Sequence, residues 1–224
     1  MAKIAIMGYG TVGSGVYEII RDNACRVAEN AGEKMETKYI LDIRDFDDHP
    51  EKHLFTKDVN DIINDSEISV VAEVMGGLHP AYEFTKSLLM SGKSVVTSNK
   101  ELVATYGTEL LAIAEEKNVN YLFEASVGGG IPVIRPLSRC LAANNITRIA
   151  GILNGTTNYI LYQMFTNNKS FETALSDAQA MGYAERNPAA DIEGHDACRK
   201  IAILSSLASG VEVDCEKIPT EGIV

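Results

Sequence analysis

Apolar positions in this chain follow one rhythm over its first half and another over its second. Early on, short apolar runs alternate with longer stretches in which apolar residues return every three or four positions. KIAIM (3–7), KYILDI (38–43), SVVAEVM (69–75), KSVVTS (93–98) and NYLFEASV (120–127) read as strands of the buried type. Between them, helices are predicted over 12–22, over PAYEFTKSLLMSG (80–92) and over KELVATYGTELLAIAEEKN (100–118). In the last of these Leu102, Tyr106, Leu110 and Ile113 recur at helical spacing. Gly92 suits a left-handed helix end. The polar stretch 23–37 reads as a helix extension and loop. Strands alternating with helices imply a parallel sheet with helices on its faces. After GGGIPVIRP (128–136) the pattern changes. A single strand, TRIAGIL (147–153), precedes three helical segments at 157–165, 171–181 and 195–209. The boundary is placed near Gly130, with a first domain over 1–130 and a second, α+β, over 131–224.

The first strand runs straight into GYGTVG and then into a helix, so Gly8, Gly10 and Gly13 hold the G-x-G-x-x-G spacing. Glycines punctuate many turns, and an ordinary strand–helix turn is the plain alternative. The flanking strand and helix favour a dinucleotide site. The first glycine permits the tight turn, the second lets backbone approach a pyrophosphate, and the third lets helix and strand pack closely, with the helix N-terminus facing the anion. Thr11 and Val12 lie inside the turn. The expected acid comes late, at Asp42, because 23–37 intervenes. Asp42 suits ribose hydroxyls and NAD, whereas Arg44 suits a 2′-phosphate and NADP. Either is equally read as a solvated residue at a strand end.

Composition narrows the classes. The 224 residues are 46% hydrophobic and 23% charged, as in an ordinary globular protein. A net charge of −11 argues against nucleic acid as a partner, since phosphates call for a basic face. No apolar run reaches membrane-spanning length. The four cysteines lie far apart with no metal or redox spacing, which suits reduced thiols in the cytoplasm.

The densest charge sits in AERNPAADIEGHDACRK (184–200), directly before the apolar IAILSSLAS. At about 100° per residue, Asp196, Lys200, Ile203 and Leu207 fall in one stripe. Asp196 and Lys200 therefore continue the apolar face of the helix. A lone ammonium there is costly to shield from water, and Asp196, one turn earlier, can partner it. A structural ion pair is the common reason for such spacing. Next to a dinucleotide-binding half it has a second reading: hydride transfer to a carbonyl leaves an alkoxide, which needs a positive group or proton donor beside it.

AQAMGYAERNPAADIEGHDACRK (178–200) resembles the signature of the homoserine dehydrogenase family, and the likeness extends through GYGTVG, VVTSNKELVA (95–104), FEASVGGGIPVI (123–134) and GILNGTTNYIL (151–161) to nearly the whole chain. The resemblance implies an α/β fold with an N-terminal Rossmann-type domain and a second substrate-binding and dimerising domain. It implies reversible, NAD(P)-dependent interconversion of L-homoserine and L-aspartate 4-semialdehyde, a step toward threonine, methionine and isoleucine. Lys200 matches the proton donor, with Lys100 across the reacting oxygen and Asp196 orienting the lysine. Glu185 matches the acid that holds the α-amino group. Asp191 lines the site, and Gly155 and Thr156 approach the substrate. Gly8, Gly10, Thr11, Val12 and Gly13 match the cofactor turn, with Thr97, Ser98 and Lys100 beside the cofactor. Arg44 matches a 2′-phosphate contact, which favours NADP. Carbonyls of Glu124, Val127, Gly129 and Ile131 match a Na⁺ or K⁺ site, although ASVGGG equally suits a hinge. The family is cytoplasmic and homo-oligomeric. Its catalytic regions continue past the position of Val224, so the second domain is expected to be C-terminally incomplete. Two further readings stand beside this one: a nucleotide-binding or dimerising fragment without turnover, and another Rossmann-type amino-acid dehydrogenase. A cysteine-nucleophile aldehyde dehydrogenase is disfavoured, because Cys140 and Cys198 lack a neighbouring base motif.

Overall fold

The computed structural model describes residues 1–224, which divide into two compact units, Met1–Gly129 and Gly130–Val224. In the first, six parallel strands lie in the order β3-β2-β1-β4-β5-β6. They are β1 (Ala2–Met7), β2 (Met35–Leu41), β3 (Phe55–Thr56), β4 (Ile68–Glu73), β5 (Ser94–Thr97) and β6 (Tyr121–Leu122). Around them run α1 (Thr11–Asp22), α2 (Ala24–Ala31), α3 (Asn60–Ile63), α4 (Ala81–Met90) and α5 (Lys100–Glu116). Central β1 is covered on both faces, so Ala5, Ile6 and Met7 are all fully buried. Tyr17 of α1 packs with Ile4, Ile6, Ile40 and Ala72. The chain builds outward from β1 through β2 and β3, then returns to lay β4 on the other side of β1. The loops after β1 and β4 therefore diverge, and such a switch point is where open α/β sheets bind ligands.

Several elements of the first unit differ from the sequence reading. The stretch 23–37 is mostly ordered: Ala24, Val27, Ala28 and Ala31 recur at helical spacing and form α2, and β2 already begins at Met35, opposite Ala2. The strand read over 120–127 is only Tyr121–Leu122. Beyond it the chain turns, with the Ser126 N–H and hydroxyl both donated to the Phe123 carbonyl, at 3.0 and 2.6 Å. The short elements β3 and α3 carry too few residues to show a period.

The second unit is helical, with α6 (Gly155–Asn167), α7 (Phe171–Ala180), α8 (Ala189–Ile192) and α9 (His195–Ser209). The strand read over 147–153 does not form. A strand is completed by its ladder partner, and every paired strand of the chain lies in the other unit. The segment 145–154 is irregular, and Ile152 is exposed. Ile160 of α6 packs on Ala174 and Ala178 of α7 and on Ala184, small residues that let the two helices approach closely. In α9, Asp196 and Ile203 are buried and Lys200 and Leu207 are half-buried, so the stripe does face inward. The segment 220–223 lies against the turn between α8 and α9. Ile223 donates its N–H to the Ile192 carbonyl at 2.8 Å, and Gly194 and Gly222 each let the opposite backbone come within van der Waals reach.

Candidate functional site

In the first unit the site is made of backbone. Gly8 has φ +98°, and a Cβ there would lie 2.9 Å from the Val74 carbonyl oxygen. A Cβ on Gly13 would sit 1.9 Å from the Gly8 carbonyl oxygen. These two positions let α1 start hard against β1 and β4. Gly10 is different, because no atom lies within 4 Å of where its Cβ would be. That open space adjoins the first turn of α1, which carries no acidic side chain and whose leading N–H groups point out of the helix. Thr11 and Val12 are exposed there. The turn thus fits the phosphates of a dinucleotide.

At the end of β2, Asp42 is nearly buried and fully engaged. Its Oδ2 accepts the Tyr9 N–H at 2.8 Å, and its two oxygens take the Arg44 side chain at 2.9–3.0 Å and the Arg44 N–H at 3.0 Å. The Arg44 guanidinium, helped by these backbone N–H groups, holds the Asp42 carboxyl far below the usual carboxylate range despite its burial. Arg44 also donates to the Tyr9 carbonyl at 2.7 Å while its side chain stays more than half exposed. What the end of β2 presents is therefore a fixed cation. Asp42 lacks the free oxygens that ribose recognition would use.

A buried network joins the ends of β4 and β5. Fully buried Glu73 accepts the Thr97 hydroxyl at 2.5 Å and the Met75 N–H at 2.9 Å. Burial pushes its carboxyl up, against the pull of those bonds. The Asn99 N–H donates to Thr97 Oγ1 at 2.9 Å. The Asn99 side chain donates to the Gly77 carbonyl at 2.6 Å and caps α5 by accepting the Leu102 N–H at 3.1 Å. Thr97 and Asn99 are thereby fixed on either side of Ser98, and Lys100 opens α5 directly after them. Glu73 and Asn99 were not singled out in the sequence. An acid inside the apolar run SVVAEVM was the available signal for Glu73.

In the second unit the site is made of side chains. Lys200 Nζ lies 2.6 Å from Asp196 Oδ2, one turn earlier on α9, with side-chain exposures of 17% and 2%. The ammonium also donates to the Leu153 carbonyl at 2.8 Å. An ammonium has three N–H donors, so a third is left for another oxygen. The neighbouring residue, Asn154, donates through Nδ2 to Asp191 Oδ1 at 2.7 Å and to Asp196 Oδ2 at 2.9 Å. Its Oδ1 caps α6 by accepting the Thr157 N–H at 2.8 Å and the Thr157 hydroxyl at 2.9 Å. Thr156 donates to the Tyr183 carbonyl at 2.7 Å, and Gln179 to the Glu185 carbonyl at 3.1 Å, so the loop after α7 is tied to the start of α6. Asp191, Asp196 and Lys200 thus converge on Leu153 and Asn154, with Gly155 and Thr156 next in the chain. Glu185 is exposed on the adjoining loop. Asn154 was missed in the sequence, where an asparagine before Gly-Thr-Thr signals a helix cap and nothing more.

Lys100, Thr97, Ser98 and the glycine turn belong to the first unit, and Lys200, Asp196, Asp191 and Glu185 to the second. Of the four carbonyls assigned to a cation, those of Glu124, Val127 and Gly129 lie in the first unit and that of Ile131 in the second. No helix is long and apolar enough to cross a membrane.

The parallel sheet, its switch point and the glycine turn define an α/β protein of the dinucleotide-binding class. Residues 8–124 match the model of the homoserine dehydrogenase NAD-binding domain, and residues 132–224 match that of homoserine dehydrogenase. The chain is 42% identical to a homoserine dehydrogenase of Bacillus subtilis over 99% of its own length and 52% of that protein's. A homoserine dehydrogenase structure from Thiobacillus denitrificans superposes with a TM-score of 0.91 at 42% identity, covering 99% of this chain and 52% of that one. A hyperthermophilic archaeal homoserine dehydrogenase mutant, solved in complex with NADPH, gives a TM-score of 0.86 at 29% identity over 99% of this chain and 73% of that one. The chain belongs to the homoserine dehydrogenase family. It spans about half the length of the curated relatives it matches.

Proposed function

We propose that this chain carries the cofactor half and the proton-transfer centre of an NAD(P)-dependent homoserine dehydrogenase, interconverting L-homoserine and L-aspartate 4-semialdehyde. The observation that carries the reading is the shielded Lys200–Asp196 pair, 2.6 Å apart, in a chain of this family. Gly8, Gly10, Thr11, Val12 and Gly13 hold the pyrophosphate, and Thr97, Ser98 and Lys100 line the nicotinamide side. When bound, the nicotinamide cofactor supplies or accepts the hydride. Lys200 gives its proton to the aldehyde oxygen on reduction and takes it back on oxidation. Asp196 aims the ammonium, holding Nζ at 2.6 Å from its Oδ2. Glu185 receives the substrate's α-ammonium, and Asp191 and the Gly155–Thr156 turn close around the rest of the amino acid. The exposed, Asp42-held Arg44 supports NADP(H), since a guanidinium matches a 2′-phosphate better than a ribose hydroxyl. The protein acts in the cytoplasm as a homo-oligomer, a reading that four free thiols and the family suit.

The test follows NADPH absorbance with aspartate semialdehyde, alongside a titration of cofactor binding. Lys200→Ala is expected to lower turnover by about 10²–10⁴-fold, the usual contribution of a positioned acid–base group, with NADPH affinity near that of the parent. Unchanged turnover removes Lys200 from the chemistry. A parent chain that binds NADPH but does not oxidise it supports instead a nucleotide-binding fragment.

A further inference from the structure

Asn154 is 7% exposed, and its one amide group serves three elements at once. Nδ2 has two N–H bonds, and both are taken by carboxylates, Asp191 at the end of α8 and Asp196 at the start of α9. The oxygen it engages on Asp196, Oδ2, is the one that meets Lys200. The preceding residue offers its carbonyl to the same ammonium. Leu153, Asn154, Asp196 and Lys200 thus form a closed ring of contacts in which the 153–154 peptide holds both members of the ion pair. A helix cap requires only the side-chain oxygen, which Thr157 occupies. The paired N–H donors are surplus to capping. They lie between two carboxylates that would otherwise repel each other in a shielded place, where such repulsion is strong.

Resting on the reading of Lys200 as proton donor, we propose that Asn154 is the positioning residue of this site: its amide fixes Asp196, and through it the Lys200 ammonium, while tethering Asp191 on the substrate side. Groups that orient a reacting residue commonly change activity by about 10–100-fold when removed.

Asn154→Ser separates positioning from capping. Serine caps a helix about as well as asparagine, but it has no amide to span two carboxylates. The first measurement needs no activity: acylation of each lysine by acetic anhydride, read by peptide mass spectrometry, with exposed Lys217 as the internal standard. In Asn154→Ser, Lys200 is expected to acylate faster than in the parent, with Lys217 unchanged. The second is turnover with aspartate semialdehyde, where kcat is expected to fall about 10–100-fold with the KM for NADPH unmoved. Asn154→Ala, which loses the cap as well, is expected to lower the thermal midpoint further than Asn154→Ser. Lys200 labelling at the parent rate in Asn154→Ser overturns the proposal, as does faster labelling with unaltered kcat in an active parent. If the parent shows no turnover, the dehydrogenase reading fails, and the labelling result alone still decides whether Asn154 holds the pair.

Discussion

The glycine turn of the first unit and the charged cluster of the second are built on opposite plans. In the turn, specificity comes from missing atoms: a Cβ at Gly8 or Gly13 would collide with backbone, and the functional groups are main-chain N–H bonds. In the cluster, specificity comes from added atoms. Asn154, Asp191, Asp196 and Lys200 are fixed by one another. A site made by exclusion is rigid because covalent geometry is rigid. A site made by mutual hydrogen bonds is only as ordered as its least satisfied member. The first plan suits a cofactor whose phosphates meet any well-placed amide. The second suits a proton carrier, whose charge must be held and still be transferable.

The largest effect that tests this contrast is expected at Gly13. Gly13→Ala puts a methyl 1.9 Å from a carbonyl oxygen that cannot rotate away, so α1 must leave the sheet. A loss of about 3 kcal/mol or more is expected in chemical denaturation, in the range of overpacked cores. A stability equal to the parent's would mean that the close approach of α1 is unimportant. Gly10→Ala should separate fold from function. Nothing lies within 4 Å of the new methyl, so stability should stay within about 0.5 kcal/mol, whereas NADPH affinity should fall tenfold or more, about 1.4 kcal/mol. Loss of stability without loss of affinity would assign Gly10 to packing. Arg44→Ala should weaken NADPH by about tenfold, the scale of one charge-assisted bond, and leave NADH nearly untouched. Equal weakening of both would move Arg44 off the 2′-phosphate.

The smallest effect belongs to Glu73, where the first unit, as at Asp42, uses the second unit's plan. Its carboxyl is raised by burial, so protonation favours the folded state. The stability it lends is fully present below its ordinary value of 4.5 and fades as pH rises through the raised one. Glu73→Gln cannot ionise and should flatten the decline in denaturation midpoint between acid and neutral pH. Parallel profiles for parent and variant would show that Glu73 does not titrate in that window. Asp42 has the opposite sign. Its depressed carboxyl lends stability above the ordinary range that is lost only in strong acid.

The same contrast explains what was legible in the sequence. Gly8, Gly10 and Gly13 span six residues, and local sterics are written in local spacing. Asp196 and Lys200 lie four apart on one helix, and periodicity placed them inward. Asn154 reaches partners 37 and 42 residues away, and no window on the chain contains that relation. TRIAGIL has the β-branched, alternating character of a strand, but pairing depends on a neighbour that the segment itself cannot specify. For Asp42 the sequence leaves a ribose contact and a solvated strand end equally open, since it names a carboxylate without saying which donors already surround it. Glu185 shows the converse. Its backbone carbonyl accepts a Gln179 N–H while the residue stays exposed, and the partner proposed for its carboxylate is a substrate that the sequence does not contain.

The close approach of Gly194 to Thr220–Glu221, and of Gly222 to Ile192–Glu193, couples two stretches that sequence distance keeps apart. Each glycine leaves a gap that the opposite main chain fills, so any larger residue at either position pries the two apart like a wedge in a hinge. A protease nick or bulky graft near Thr220 would therefore register first at Ile192, the end of α8, in the stretch that separates Asp191 from Asp196.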